Sequence, residues 1–273
     1  MTQQRELTIA DLQPSLQTTK QMSRHYKEYS TPDLIGHLLD LKSKGEQVFE
    51  LRQIQMKRTR KPNQAGRGIH IARIRMTKPY ILDGDTLFPE LIIKNSYDGS
   101  CQLVVEMGIY RQVCTNGLCV KHKDLGEIKI RHMKTAFDAV IDMVRGFAAN
   151  LPKFIDLQQK MVATTLNEIQ ITEFAKKATR IRWDKVAENA DFEMVTETVR
   201  PEDEGNSLWK VFNVVQEKLL QGGIKLEGMR KTGRKVGNAS EDLRINQELF
   251  ELAMEFVPET LDEVAMFEVD RQM

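Results

Sequence analysis

The stretch from Leu87 to Lys123, LFPELIIKNSYDGSCQLVVEMGIYRQVCTNGLCVKHK, constrains the fold more than any other part of the chain. It reads as three antiparallel strands joined by two tight turns, Asp98-Gly99 and Asn116-Gly117. Both dipeptides accept the positive φ angles of a two-residue type I′ hairpin. The flanking runs are rich in Ile, Val, Leu and Tyr, side chains that suit a pleated, half-buried surface. A turn at Asn116-Gly117 sets Cys114 directly opposite Cys119. By the two-residue period, Cys101, Leu103, Val105, Met107, Ile109 and Val113 share one face with Arg111, and Gln102, Val104, Glu106, Tyr110 and Gln112 share the other. The first face is expected to pack and the second to be mixed and wet, unless a bulge at Gly108 reverses the register.

Around this core the chain alternates between periodic and broken segments. Residues 1–28 lack an apolar period and read as a loose arm. Ser30-Thr31-Pro32-Asp33 starts a helix with a hydroxyl cap, a proline and an acid in the first turn; Leu34, Ile35, Leu38, Leu39 and Leu41 form its buried side and Gly45 ends it. Gln47 to Met56 has the composition of a strand with imperfect alternation. The basic run KRTRKPNQAGRG, Lys57 to Gly68, reads as an exposed loop. Alternation resumes from Ile69 to Lys78, with His70, Ala72, Ile74 and Met76 on one face and Ile71, Arg73 and Arg75 on the other. Pro79 and Asp83-Gly84-Asp85 mark a further turn.

Beyond the hairpins, Glu127 to Met133 closes the sheet and a long helix starts at Lys134, which Pro152 is expected to break or kink. Thr172 caps a third helix through Trp183, and residues 200–206 form a polar linker. Ser207 caps an amphipathic helix on which Leu208, Val211, Phe212, Val215 and Leu219 face inward and Gly222-Gly223 is the stop. A basic, glycine-punctuated loop, Lys225 to Asn238, precedes a final helix from about Leu243 to Phe256 and an acidic tail. The expected architecture is α+β: an antiparallel β-meander of four or five strands, about residues 69–133, packed on the long helix, with a C-terminal helical lobe. The expected organisation is an arm over 1–28, a core over 29–171 and a helical lobe over 172–273.

NSYDGS followed by MGIYRQVCTNGL resembles the hallmark of a phage- and plasmid-borne family, domain of unknown function 932. The matching positions are Asn95, Ser96, Tyr97, Asp98, Gly99, Gly108, Tyr110, Arg111, Cys114, Asn116 and Gly117. A second match is SLWKVFNVVQEKLLQGG, Ser207 to Gly223, followed by a basic stretch and INQELFELA. The resemblance spans roughly Arg67 to Phe256. It implies a mobile-element setting inside bacterial cells and names no reaction.

Charge carries the functional reading. The net charge of +1 conceals segregation: no acid lies between Glu50 and Asp83, an interval that holds Arg52, Lys57, Arg58, Arg60, Lys61, Arg67, Arg73, Arg75 and Lys78. A second basic group, including Lys121 and Lys123, follows the third strand, and a third contains Arg230, Lys231, Arg234 and Lys235. Such blocks are either solvated loops or contacts to a polyanion, where each neutralised phosphate releases counterions. Tyr97, Tyr110 and Phe88 are candidates to stack on bases if they are not core.

Other chemistries are weaker. Cys114, Cys119 and His122 fall short of a tetrahedral zinc set. Asp83, Asp85, Glu90 and Asp98 would have to converge to hold the magnesium of a nuclease. No phosphate-loop or nucleophile-elbow pattern is present. Arg111 sits on an apolar face, so it is either an anion clamp or part of a structural ion pair, with Asp138 or Asp142 as partner. No apolar run approaches the ~20 residues of a membrane span. The N-terminal sequence lacks a signal-peptide layout, and the three cysteines suit the reducing cytoplasm of a bacterial host.

With the setting implied by the resemblance, the expected function is non-catalytic nucleic-acid binding for a bacteriophage or plasmid, favouring single-stranded DNA in replication or recombination, with no cofactor or metal. The expected contacts are Lys57, Arg58, Arg60, Lys61, Arg67, Arg73, Arg75, Tyr110, Lys121, Lys123, Arg230, Lys231, Arg234 and Lys235. Asn95, Asp98, Gly99, Arg111, Cys114, Asn116 and Gly117 are expected to be structural. A host-protein-binding inhibitor of defence and a metal-dependent nuclease stay open. Sheet edges and the helix from Ser207 allow a homo-oligomer.

Overall fold

A computed structural model describes residues 8–12, 26, 28–40, 49–56, 68–112, 117–120, 128–130, 137–184, 195–222, 224 and 233–258. The architecture is α+β. One antiparallel sheet contains β1 (Phe49–Met56), β2 (His70–Met76), β3 (Tyr80–Leu82), β4 (Asp85–Asn95), β5 (Leu103–Arg111), β6 (Gly117–Val120) and β7 (Ile128–Ile130). Its strands run β1-β2-β4-β5-β6, with β3 also on β4 and β7 also on β5. The meander therefore has more and shorter strands than the expected four or five. β4 changes neighbour from β3 to β2 between Leu87 and Glu90, and Pro89, with no N–H to donate, falls in that gap.

Both expected hairpin turns are replaced. Asp83 (φ 49°) and Gly84 (φ 81°) form the two-residue positive-φ turn, joining Leu82 to its register partner Asp85. Asp98-Gly99 instead lies within a seven-residue connection, 96–102, between β4 and β5; Gly99 has φ 70° and Asp98 does not enter the positive region. The Asn116-Gly117 turn is also excluded, because Gly117 already belongs to β6 and pairs with Tyr110. Cys119 then takes Gly108 as its partner, so the expected Cys114–Cys119 pairing is wrong. Gly108 hosts no bulge; pairing between β4 and β5 is continuous from Leu87↔Arg111 to Lys94↔Val104.

The bulge is in β1, where the register shifts between Leu51 and Gln53. Arg52 is the extra residue, which explains the imperfect alternation: Phe49 and Leu51 before it and Ile54 after it share one sheet face. That apolar face continues through His70, Ala72 and Ile74, then Leu91 and Ile93, then Leu103, Val105, Met107 and Ile109, nearly all fully buried. α1 (Thr31–Asp40) lies against it, with Leu34, Ile35 and Leu38 buried and Ser30 Oγ capping its first turn by accepting from Asp33 N–H at 3.2 Å. The expected long helix follows β7 in the chain. That helix, α2 (Phe137–Ala163), runs on through Pro152 instead of ending there.

The chain divides into two compact units, Met1–Phe154 with Lys235–Gln247, and Ile155–Arg234 with Glu248–Met273. In the second, α3 (Glu168–Arg182) starts four residues before the expected Thr172, because Asn167 and Gln170 form a reciprocal capping box. α4 (Leu208–Gln221) is capped by Ser207 as expected. Trp209, Val214 and Leu220 are buried along with the five inward residues, so the helix is covered nearly all round. Phe212 meets Trp209 and Phe250 there, and α5 (Ala239–Met254) supplies Phe250.

Gly222 ends α4 at φ 76°, where an added Cβ would lie 2.5 Å from the Gly233 carbonyl oxygen and 2.7 Å from the Arg234 carbonyl carbon. Both neighbours are backbone and cannot step aside. Gly222→Ala is expected to cost more than about 2 kcal/mol, from the left-handed conformation plus this clash. The measurement is the urea midpoint; a shift equivalent to less than about 0.5 kcal/mol would show that the turn relaxes freely.

Candidate functional site

The hallmark residues build a clasp that ties the start of α1 to the sheet. Asn95 ends β4 on the apolar face, and its Nδ2 donates to Tyr29 O at 2.8 Å and to Thr31 Oγ1 at 3.0 Å. The Asn95 carbonyl oxygen Oδ1 accepts from Ser96 N–H at 2.8 Å. The Tyr97 hydroxyl accepts from Thr31 N–H at 3.1 Å, one of the helix-start donors that the helix itself leaves unbonded. Ser96 Oγ bonds both the N–H and the carbonyl of Cys101, and Asp98 accepts from Ser100 N–H, so the connection 96–102 is closed by its own side chains. Tyr97 is fully buried and is not a stacking platform.

His70, which sequence reasoning placed on the apolar face without a role, completes the clasp. Its Nδ1 lies 3.1 Å from Gly68 O and its Nε2 2.7 Å from Thr31 Oγ1. A carbonyl only accepts, so Nδ1 carries the hydrogen and the Thr31 hydroxyl donates to Nε2 of a neutral ring. Asn95, Thr31, His70 and Gly68 thus form one directional chain of donors, all with buried side chains where they have them. A polar residue at an inward position of an alternating strand was the signal that could have revealed it.

Burial holds the His70 pKa below the ordinary imidazole value, against the Gly68 bond and the charge of Asp98, which pull it up. The unfolded chain therefore takes up this proton first as pH falls. The stability tied to neutral His70 is complete above about pH 6.5 and is lost progressively below it, by up to about 1.4 kcal/mol per pH unit. His70→Gln is expected to remove that slope in urea unfolding between pH 5 and pH 8; an unchanged slope in the variant would refute it.

The opposite, polar face of the sheet gathers charge. Arg75 pairs with Glu90 and Arg73 with Ile92 in the β2–β4 register, while Phe88 pairs with Tyr110 and Ile92 with Glu106 across β4–β5. Glu90 is fully buried and serves two guanidinium groups: its Oε1 accepts from Arg75 Nε at 2.9 Å and Nη2 at 2.8 Å, and its Oε2 from Arg73 Nη1 at 3.4 Å. Gly108, opposite Glu90, puts no side chain on this face. The Arg75 guanidinium carbon sits 3.4 Å from the Tyr110 ring centre and 5.6 Å from that of Phe88. Arg75, Phe88 and Tyr110 are half-buried, and Ile81, which shares their face through its pairing with Thr86, is 67 % exposed.

The first half of α5 covers the other end of the same face. Leu243 packs on Ile71 and Ile92, and Gln247 Nε2 donates to Glu106 Oε2 at 2.7 Å. These contacts bring Asp242 within electrostatic reach of Arg73 and Lys235. Burial raises the Asp242 pKa, while Arg73, Lys235 and a bond from Asn246 pull it down.

The residues expected to bind nucleic acid thus fall into three groups. Arg73, Arg75 and Tyr110 share the polar face and Lys235 acts on the same Asp242 as Arg73, although Arg73 and Arg75 are not the open cations expected: both pair with Glu90. Arg234 is exposed in the second unit. Lys57, Arg58, Arg60, Lys61, Arg67, Lys121, Lys123, Arg230 and Lys231 lie outside the described residues, as do Cys114 and Asn116. The first five fall in the connection between β1 and β2. Arg111 forms a structural ion pair with Asp85 at 2.7 Å, joining the end of β5 to the start of β4; the side chains of the expected partners Asp138 and Asp142 lie outside the described residues. Of the acids weighed for magnesium, Asp85 is engaged by Arg111, Glu90 by two arginines and Asp98 by its turn. Among the described residues no group of three His, Cys, Asp or Glu is placed to hold a metal ion, and no helix is long and apolar enough to cross a membrane.

The fold that carries these residues is an antiparallel sheet tied to the start of α1 through Asn95 and Tyr97. The chain belongs to the family described as domain of unknown function DUF932, whose model matches residues 21–250. It is similar to two Escherichia coli strain K12 proteins, UPF0380 protein YafZ and UPF0380 protein YfjQ. Each is 27 % identical over 246 residues, covering 88 % of this chain and 86 % of the relative. No solved structure matches it.

Proposed function

We propose that this chain is a non-catalytic nucleic-acid-binding protein that favours single-stranded DNA and serves the replication or recombination of a mobile element in the bacterial cytoplasm. The observation that supports this reading is the open half of the polar face. There Arg75 is held by Glu90 and stacked on Tyr110, with Phe88 and Ile81 beside it. Partly exposed aromatics offer bases a sequence-tolerant stacking surface, and an oriented guanidinium offers charge without further ordering cost. Two cationic segments far apart in sequence contribute, since Arg73 and Lys235 both act on Asp242. The acid-free run 57–67 joins β1 and β2 of the same sheet and would supply the backbone contacts.

The test is a fluorescence anisotropy titration of a labelled single strand at increasing salt. Binding is expected at about 50 mM salt and to weaken steeply, and neutralising Lys57, Arg58, Arg60 and Lys61 should lower the log–log salt slope by up to about 3, at about 0.7 per lost contact. Tyr110→Ala is expected to weaken binding by about 1–3 kcal/mol. Absence of binding at low salt, or a slope indifferent to the four neutralisations, counts against the reading. Capture of a host protein from nuclease-treated lysate, with no strand bound, would favour an inhibitor of host defence.

A further inference from the structure

The clasp at the start of α1 closes around a titratable ring. His70 is fully buried, and so are Thr31, Asn95 and Tyr97. Its Nδ1 donates to the Gly68 carbonyl in either charge state, so the proton it can gain goes to Nε2. Nε2 is the atom that Thr31 Oγ1 faces at 2.7 Å. With the ring neutral, the Thr31 hydroxyl donates to Nε2 and accepts from Asn95 Nδ2 at 3.0 Å. With the ring charged, Nε2 becomes a donor, the hydroxyl receives hydrogens from both sides, and its own hydrogen loses the acceptor it had. The cation would also be buried. Among the described residues, Asp98 is the carboxylate whose charge acts on the ring, and it is engaged by the Ser100 N–H. Glu28, before α1, and Asp33, in its first turn, act on Tyr97, whose ring centre lies 4.9 Å from that of His70. Burial pushes the pKa values of Tyr26, Tyr97 and Cys101 up, so these groups stay neutral. His37, the imidazole on α1 itself, is exposed.

We propose that proton uptake by His70 releases α1 from the sheet while the strands stay paired. Thr31 belongs to α1, so the bond that the proton reverses is one that holds the helix. The helix can leave alone. No strand pairing runs through it, and its described attachments are the clasp bonds and the buried Leu34, Ile35 and Leu38. Once detached, a helix of 10 residues is too short to persist in water. Release also lets the ring meet water and return to its ordinary pKa of about 6.5, above the folded value that burial lowers. The released form therefore binds the proton more tightly, and falling pH favours it by up to about tenfold per unit below about pH 6.5. Above that pH the ring is neutral in both forms and α1 stays closed. The clasp lies on the sheet face opposite the patch proposed to meet a strand, so the release needs no nucleic acid.

The experiment is amide hydrogen exchange on the full chain between about pH 5.5 and pH 7.5, each rate divided by that of an unstructured peptide at the same pH. Protection of the α1 amides from Leu34 to Asp40 is expected to fall by up to about tenfold between pH 6.5 and pH 5.5, with little dependence on added urea. Amides of β4 and β5 should stay better protected and depend steeply on urea, as sites that open only with the whole unit do. His70→Gln keeps a donor and an acceptor and cannot charge, so it should hold α1 protection constant over that range. His37→Gln should leave the fall in place. Thr31→Val keeps the shape, removes the hydroxyl and should lower α1 protection severalfold already at pH 7.5. An α1 that exchanges only together with the strands, at the same urea dependence, overturns the proposal, as does an unchanged pH dependence in His70→Gln. If His70→Gln fails to fold, Thr31→Val still decides, since full α1 protection in that variant at pH 7.5 would show that the bond to His70 does not hold the helix.

Discussion

Replacing Glu90 by Ala is expected to lower stability by about 3–5 kcal/mol, a large part of what a domain of this kind has to lose. The reason is the asymmetry of buried charge. Glu90 is fully buried, Arg73 and Arg75 keep only 8 % and 15 % of their side chains exposed, and this carboxylate is the anion both guanidinium groups bond. Without it, two cations stay desolvated beside each other, which costs more than the bonds themselves contributed. The comparison is Glu50→Ala. Glu50 pairs with Arg52 across the β1 bulge, with both side chains nearly half exposed, and water screens that pair to about 0–1 kcal/mol. Urea unfolding of the two variants should separate them clearly. Similar midpoints would mean that Arg73 and Arg75 reach solvent when Glu90 is gone, and the buried network would then be the wrong description.

The second large effect is expected at Arg111. Its Nε lies 2.7 Å from Asp85 Oδ2, and both side chains are 4 % exposed. Arg111→Met alone should cost about 3–5 kcal/mol, because it takes from a buried carboxylate the guanidinium that bonds it, and Asp85→Ala alone should cost a similar amount by taking the carboxylate from the guanidinium. The double variant removes both charges and should recover a substantial part of that loss. A double-mutant cycle in urea reads this directly. If the two losses simply add, the pair is not coupled, and Arg111 must be stabilised through other contacts. A coupled result would place Arg111 among the supports of the β3–β4 hairpin instead of among anion-binding residues.

These two pairs show where sequence reasoning reached and where it stopped. Which face of its strand each of Arg73, Arg75 and Arg111 takes follows from the two-residue period and was legible, as was the need for Arg111 to have a partner. The partner was not: the expectation named the helical acids Asp138 and Asp142, whereas the β4–β5 register, which sets Leu87 opposite Arg111, brings Asp85 beside the end of β5. Turn chemistry misled in an instructive way. Asp98-Gly99 and Asp83-Gly84 are the same dipeptide, yet only the second makes a two-residue hairpin. The first is opened by Ser96, whose hydroxyl closes a wider loop on Cys101. Long-range partners outweigh local preference there, since Asn95 and Tyr97 are committed to Tyr29 and Thr31, more than sixty residues away. A stretch without acids says nothing of acids arriving from elsewhere in the chain, and Glu90 from β4 and Asp242 from α5 act on the arginines of β2.

What the amino-acid order determined by itself was local: which segments are strands or helices, their caps at Ser30 and Ser207, the stop at Gly222 and the division of each strand into two faces. These depend on backbone preference and on side chains a few residues apart. What only the tertiary structure decided was pairing: that Asn95 holds the start of α1, that His70 stays neutral, that one carboxylate serves two arginines and that α5 lies over Arg73. Charges and hydrogen bonds act over a few ångströms of space and are indifferent to distance along the chain.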